Sequence, residues 1–146
     1  MGGAVLAACL LIAAQTYQVP PGILLGIMQV EGGRIGQEVG PNRNGSYDIG
    51  IMQINTAWLP MLSQKWNVSS PTARSWLRED GCANIAVSAW ILRQRINLTG
   101  SVWSGVAGYH SLTPALGSRY ANRVASAMRR HRLSDSMSMI AARCAD

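Results

Sequence analysis

The stretch Pro20-Pro21-Gly22-Ile23-Leu24-Leu25-Gly26-Ile27-Met28-Gln29-Val30-Glu31-Gly32-Gly33 decides how the chain is to be read. Two prolines can open a helix, because proline tolerates the first turn. Leu24, Ile27, Met28 and Glu31 then fall at i, i+3, i+4 and i+7, so they share one face. Two glycines end the run. Three members of that face are apolar and the fourth is a carboxylate. Burying a carboxylate costs several kcal/mol unless it is protonated or paired. Burial also raises its pKa toward the range of a general acid. The following Gly32-Gly33 lets another segment or a ligand come close. An ion pair with Arg34, or a drift of the helix that leaves Glu31 wet, explains the position equally well.

Glu31 stands out because acids are scarce. The chain has 146 residues, with 7 Asp+Glu against 13 Lys+Arg, a net charge of +6. Twelve of those thirteen bases are arginine. Hydrophobic residues make up 48%, enough for one core, and charged residues only 14%. That charge fraction is well below the usual quarter, which argues against a disordered tail or a coiled coil. Of the other acids, Glu79 and Asp80 suit a helix start, where negative charge is favoured. Asp48 can orient a loop by bonding nearby amides. Asp135 and Asp146 read as solvated, and Glu38 lies in a glycine-rich loop.

Helical signals fill most of the chain. Ala4–Ala14 is an apolar run of eleven residues, too short for a membrane-spanning helix, which needs about 20. It has the length of a signal-peptide core, and Leu6-Ala7-Ala8-Cys9 resembles a lipoprotein cleavage box. No Lys or Arg precedes it, however, so a buried helix continuing to Tyr17 is the favoured reading, in a mature or trimmed chain without its signal peptide. Thr56 is expected to cap a helix bearing Trp58, Leu59 and Leu62, and Ser70-Pro71 one bearing Trp76 and Leu77. Asp80 is expected to cap Gly81–Leu98, with an apolar stripe of Ile85, Ala89, Leu92 and Ile96. Ser101 opens a short helix to about Ser111, and a last helix runs from about Gly117 to Leu133. The stretch 32–50 holds six glycines and the turn dipeptide Asn44-Gly45. It reads as a loop with at most a small β-hairpin. No linker divides the chain.

Cys9, Cys82 and Cys144 form no C-x-x-C pair, and His110 and His131 are distant in sequence from all three, so no zinc or other metal site is expected. An exported protein could pair two cysteines and leave one over. Arg119, Arg123, Arg129, Arg130 and Arg132 lie within fourteen residues that contain no acid. They suit anionic wall polymers, nucleic acid, a membrane surface, or simply a solvated face. Tyr120 and Val124 give that helix an apolar stripe in any case.

Four segments in order carry a family resemblance. They are Val30-Glu31-Gly32-Gly33, Gly50-Ile51-Met52-Gln53-Ile54-Asn55, Ala107-Gly108-Tyr109-His110-Ser111 and Arg119-Tyr120-Ala121-Asn122-Arg123-Val124. The chain resembles the family 1 lytic transglycosylases, over roughly Cys9 to Arg130. More narrowly it is similar to the compact members tied to secretion systems, conjugation and pili, to which Cys9, the run from Ala13 to Pro21, and Cys82-Ala83-Asn84-Ile85 also fit.

The resemblance implies a lysozyme-like α+β fold, mainly α, over residues 1–133, with 134–146 as a polar C-terminal extension. It implies cleavage of the β-1,4 bond between N-acetylmuramic acid and N-acetylglucosamine of peptidoglycan, in the periplasm or outside the cell. Glu31 would be the single catalytic residue, first acid and then base on the muramoyl 6-hydroxyl. A hydrolysing muramidase and a non-catalytic wall-binding assembly module are the alternatives. Hydrolases of the two-carboxylate kind need a second acid about 5–10 Å away, and only Glu38 and Asp48 are near in sequence. Asn44, Met52, Gln53, Asn55, Tyr109, His110 and Tyr120 would bind substrate, with Tyr120 able to hold Glu31 by its hydroxyl. Met52 and Ile54 could equally be core. Cys9 would pair with Cys82. No cofactor and no nucleic acid are implied, and a monomer serving secretion, conjugation or pilus machinery is expected. Three departures mark the chain: Gly32 where the family commonly has Ser, which should loosen the turn, Asn44 for a frequent Ser, and His110 for Asn. A histidine there can tune the pH response.

Overall fold

A computed structural model describes residues 2–131. Cys144, Arg132 and the expected extension lie outside the described residues. Within them the chain forms seven α-helices and a three-stranded sheet. The helices are α1 (Gly3–Tyr17), α2 (Pro21–Glu31), α3 (Leu59–Trp66), α4 (Ser70–Glu79), α5 (Gly81–Thr99), α6 (Val102–His110) and α7 (Pro114–Arg130). The strands are β1 (Glu38–Val39), β2 (Asp48–Ile49) and β3 (Ile54–Asn55), antiparallel in the order β1-β2-β3. This is the mainly helical, lysozyme-like fold. No described helix is long and apolar enough to cross a membrane.

The small hairpin expected within residues 32–50 is β1 and β2, and β3 adds a third strand just beyond that stretch. Each strand has two residues, too short to show any alternation in sequence. The pairing brings Asp48 opposite Asn55 and Ile49 opposite Ile54. Caps also move. Asn55, not Thr56, starts the next turn, its Oδ1 accepting from the Ala57 amide at 2.9 Å. The hydroxyl of Thr56 instead accepts from the Tyr47 amide. A 3₁₀ turn over Thr56–Trp58 then leads into α3. Ser69 caps α4 in place of Ser70, through the Thr72 amide. Asp80 does cap α5, accepting from the amides of Cys82 and Ala83. The last helix begins at Pro114, because proline fits its first turn three residues before Gly117.

Helix α5 is the axis of the molecule. Ile85, Ala89 and Leu92 are fully buried, Ile96 nearly so, and Val87 and Ile91 are buried between them. Helices α1, α4 and α6 pack around it. Arg93 reaches from α5 to the end of α1, its Nε donating to the Tyr17 carbonyl at 2.9 Å and its Nη2 to Gln18. A disulfide joins Cys9 of α1 to Cys82 of α5, with Cα atoms 5.3 Å apart. Helix α7 buries Tyr120, Val124 and Ala127 against the body and leaves Arg119, Arg123, Arg129 and Arg130 exposed. It lies close on α2 because residue 26 is glycine, where a Cβ would sit 2.8 Å from Met128.

Asn84 fastens the sheet to this helical body. It is fully buried. Its Nδ2 donates to the carbonyls of Ile49 at 2.9 Å and Leu77 at 3.0 Å, and its Oδ1 accepts from the Met52 amide at 2.8 Å. Gly50, at φ +72°, has its Cα against that carboxamide and the Leu77 carbonyl, so no side chain fits there.

The Cys9–Cys82 bond closes a separation of 73 residues. By the loop-entropy account this constrains the unfolded chain by about 4 kcal/mol. Urea unfolding with and without reductant should show the midpoint falling accordingly. An unchanged midpoint would mean that the two helices hold each other without the bond.

Candidate active site

Glu31 is the last residue of α2. Gly32 follows in the left-handed conformation, φ +61°, its amide bonding back to the Met28 carbonyl at 3.1 Å. Glycine adopts this cap at no steric cost. The expected loosening of the turn is therefore reversed: Gly32 suits the close. Gly33 meets the turn that follows β2. A Cβ on Gly33 would strike the Gly50 carbonyl and lie 2.8 Å from the Gln53 side chain. Gln53 itself sits at φ +52°, unusual for a residue with a side chain, and its Nε2 donates to the Gly50 carbonyl at 3.0 Å. The end of α2 and the Gly50–Gln53 turn are thus one packed unit.

The carboxyl of Glu31 is half-buried, and Arg34 is not its partner. The Tyr120 hydroxyl donates to Oε1 at 2.7 Å. Burial pushes the Glu31 carboxyl above its ordinary value. The Tyr120 bond works the other way, the charge of Asp48 adds to the rise, and Arg123 subtracts from it. Tyr120 is 2% exposed, with its ring stacked 4.8 Å from His110 and 6.1 Å from Tyr109. The Tyr109 hydroxyl shares a 2.8 Å hydrogen bond with Ser88 Oγ of α5. Burial foremost holds both tyrosine hydroxyls well above their ordinary value, so both remain protonated donors.

A groove of about 610 Å³ opens over this carboxyl. Its flap wall consists of Asn42, Arg43, Asn44, Ser46 and Asp48; its body wall includes Gln53, Trp58, Ile91, Arg95, Tyr109 and His110. Of the expected binding residues, Asn44, Gln53, Asn55, Tyr109 and His110 line the groove. Tyr120 lies behind Glu31. Met52 needs correction: its side chain is fully buried in the core, because its amide is tied to Asn84. Asn55 borders the groove with its amide already committed. Its Nδ2 donates to Ser46 Oγ and to Asp48 Oδ1, each at 3.0 Å, and its Oδ1 caps the next turn.

The other acids divide cleanly. Glu38 receives Arg74 at 2.7 and 3.0 Å and has Arg78 at 3.5 Å, which holds its carboxyl below the ordinary value, and it does not line the groove. Glu79 pairs with Arg78. Asp48 lines the groove, with Oδ2 accepting from Asn42 at 3.1 Å and Oδ1 from Asn55. Sequence reasoning missed Asn42, Arg43, Ser46, Trp58, Ile91 and Arg95 as groove residues. For two of them a signal existed: Ser88, Ile91 and Arg95 recur at i, i+3 and i+7, one face of α5. Among the described residues no group of three or more metal-ligating side chains forms.

A helical body and a small sheet that frame a polar groove over one half-buried carboxyl define the lysozyme-like class. Residues 8–130 match the Transglycosylase SLT domain, and the chain belongs to that family. It is 31% identical over 120 residues to Invasion protein IagB of Salmonella typhimurium, a match covering 80% of this chain and 72% of that one. It is 30% identical to Protein IpgF of Shigella flexneri over 69% of this chain and 63% of the relative. It is 27% identical to a peptidoglycan-binding-like protein of Escherichia coli O157:H7 over 71% and 64%.

The state of Glu31 has a thermodynamic signature. Its raised value means the folded protein keeps this proton at pH where the unfolded chain has lost it. Stability from this group is full below the ordinary 4.5 and is lost as pH rises through the folded value. Glu31→Gln carries no charge there. The stability of that variant relative to wild type should therefore improve from acidic to mildly alkaline pH, read by urea unfolding at both ends. A difference that is flat with pH would mean Glu31 titrates like a solvated acid.

Proposed function

We propose that the protein is a peptidoglycan lytic transglycosylase with Glu31 as its catalytic acid and base. The observation that supports this most strongly is the half-buried Glu31 carboxyl, above its ordinary pKa, in the groove with a tyrosine hydroxyl as its hydrogen-bond partner. In the first step the protonated carboxyl gives its proton to the oxygen of the β-1,4 bond between N-acetylmuramic acid and N-acetylglucosamine. The C1–O bond breaks and the N-acetylglucosamine end leaves as an alcohol. The positive charge at C1 is met by the substrate's own N-acetyl oxygen. Glu31, now a carboxylate, accepts the proton of the muramoyl 6-hydroxyl as that oxygen attacks C1. The product is a 1,6-anhydro ring and the acid is restored. Water is not a reactant, so one carboxyl serves both proton transfers.

The surrounding residues fit positions rather than chemistry. Tyr120 fixes one oxygen of Glu31 and restrains how far its pKa rises. Gln53 has its side-chain nitrogen bonded inward to Gly50, which leaves its oxygen for a sugar or acetamido N–H. Asn44 has its oxygen engaged by Ser46, which leaves its nitrogen as donor. The Cys9–Cys82 bond suits an oxidising compartment, periplasmic or outside the cell. One relative's name, invasion protein, accords with local wall opening for a secretion, conjugation or pilus apparatus.

A hydrolysing muramidase is the second reading, favoured by one observation. Asp48 lines the same groove, and its charge already acts on Glu31. A charged carboxylate across a groove from a raised one is the arrangement of two-carboxylate glycosidases.

Digestion of purified sacculi with mass analysis of the products separates the readings. Glu31→Gln should lower the rate about a hundredfold to ten-thousandfold, the usual contribution of a positioned acid. Wild type should release 1,6-anhydro ends. Asp48→Asn should keep those ends and shift the alkaline limb of activity to lower pH, since the negative charge that raises Glu31 is gone. Reducing ends from wild type, together with collapse of activity in Asp48→Asn, would establish the muramidase instead. Undiminished digestion by Glu31→Gln would remove Glu31 from the chemistry.

A further inference from the structure

The body wall of the groove holds a cation that no described acid neutralises. Arg74 and Arg78 pair with Glu38 and Glu79, and Arg93 spends its nitrogens on the Tyr17 and Gln18 carbonyls and the Asn97 side-chain oxygen. Arg95 does neither. Its guanidinium lies over the Trp58 ring, with Cζ 5.5 Å from the centroid, and Trp58 is braced edge-on by Trp90 at 5.7 Å. Its Nε is sealed from solvent without an acceptor. That burial costs free energy, and with the indole beneath it the guanidinium keeps its place on this wall. The two terminal nitrogens remain as parallel donors on a residue that lines the groove.

The position of Arg95 says which part of a ligand it meets. Ser88 anchors Tyr109 beside the Tyr120–Glu31 pair. Arg95 lies two turns further along the same face of α5, about 10 Å at the helical rise per residue. It is therefore a contact for a portion of the strand away from the bond that breaks. A fixed guanidinium fork matches a carboxylate, which it binds through two parallel hydrogen bonds. The negative groups along a peptidoglycan strand are carboxylates on the muramoyl side arm.

We propose that Arg95, held over Trp58, is a specificity residue that binds a carboxylate on the side arm of a muramoyl unit in the groove. The source is either the stem peptide or, in strands stripped of peptide, the lactyl group itself. Recognition of this kind makes the enzyme choose strands by their decoration as well as by their sugars. The inference rests on the peptidoglycan reading above, but it concerns binding and not the proton transfers.

Calorimetry in the Glu31→Gln background tests binding without turnover. The ligands are soluble strand fragments with intact stems, fragments stripped to the lactyl group, and fragments whose carboxyls have been converted to neutral amides. Adding Arg95→Gln should weaken binding of carboxylate-bearing fragments by about tenfold to a hundredfold, the range for a hydrogen bond to a charged group. Arg95→Lys, which keeps charge but not the fork, should fall between and guards against loss of fold. On neutral fragments the variants should bind alike. Loss with intact stems only assigns the stem peptide; loss with stripped strands assigns the lactyl carboxylate. Equal loss on neutral fragments, no loss on any, or no binding by the parent variant overturns the proposal. Charge-dependent binding by a protein that yields no anhydro product from sacculi leaves Arg95 standing and removes the reaction. Anhydro product with indifference to Arg95 does the reverse.

Discussion

The buried carboxamide of Asn84 is the constraint on which the groove depends. It satisfies two carbonyls and one amide from three segments: the end of α4, strand β2 and the Gly50–Gln53 turn. In a low-dielectric interior such bonds are strong, and leaving any one unmade would be costly. The turn therefore has one place to sit. Gly33 then backs onto the turn through the Gly50 carbonyl, which sets where α2 ends. Glu31 is two residues away. Its place in the groove follows from an amide on a different helix more than from any bond of its own.

The acids show how environment divides one functional group into separate roles. Glu38 is held charged by two arginines and serves the flap. Asp48 is bonded on both oxygens by asparagine amides and carries its charge into the groove. Glu31, half-buried and bonded on one oxygen, is the carboxyl that burial drives toward keeping a proton. A neutral amide network around Asp48 can hold a charged group without cancelling its field. Asp48 acts on Glu31 from within the groove, while Glu38, paired with Arg74 and Arg78, does not line it.

The helices were legible because their apolar faces repeat over many residues. The α5 stripe and the placing of Glu31 at the end of an apolar face could be read from spacing alone. The sheet could not, since two-residue strands carry no period and their pairing is fixed from outside by Asn84. Caps lie one residue earlier than spacing implies for a similar reason: Asn55 is claimed by strand pairing and a turn at once, and Ser69 directly precedes a second serine with the same capping chemistry. Arg95 and Trp58 are not legible as groove residues because their meeting is long-range. An arginine on a helix face reads as solvated until the fold brings an indole beneath it. Met52 erred in the other direction, since a groove motif with alternating apolar residues does not say which of them faces inward.

The two walls of the groove differ in how they are made. The body wall is joined to the interior by the buried Asn84–Met52 bond and by glycines that admit no side chain. The flap wall is held chiefly by bonds among Asn42, Asn44, Ser46 and Asp48 near the surface, where water competes for each partner. The groove thus has a hard jaw and a soft one. A long, branched polymer needs room to enter sideways, and the soft jaw can yield without moving the Glu31 backbone or its Tyr120 partner, although a shift of Asp48 would change the field that Glu31 feels.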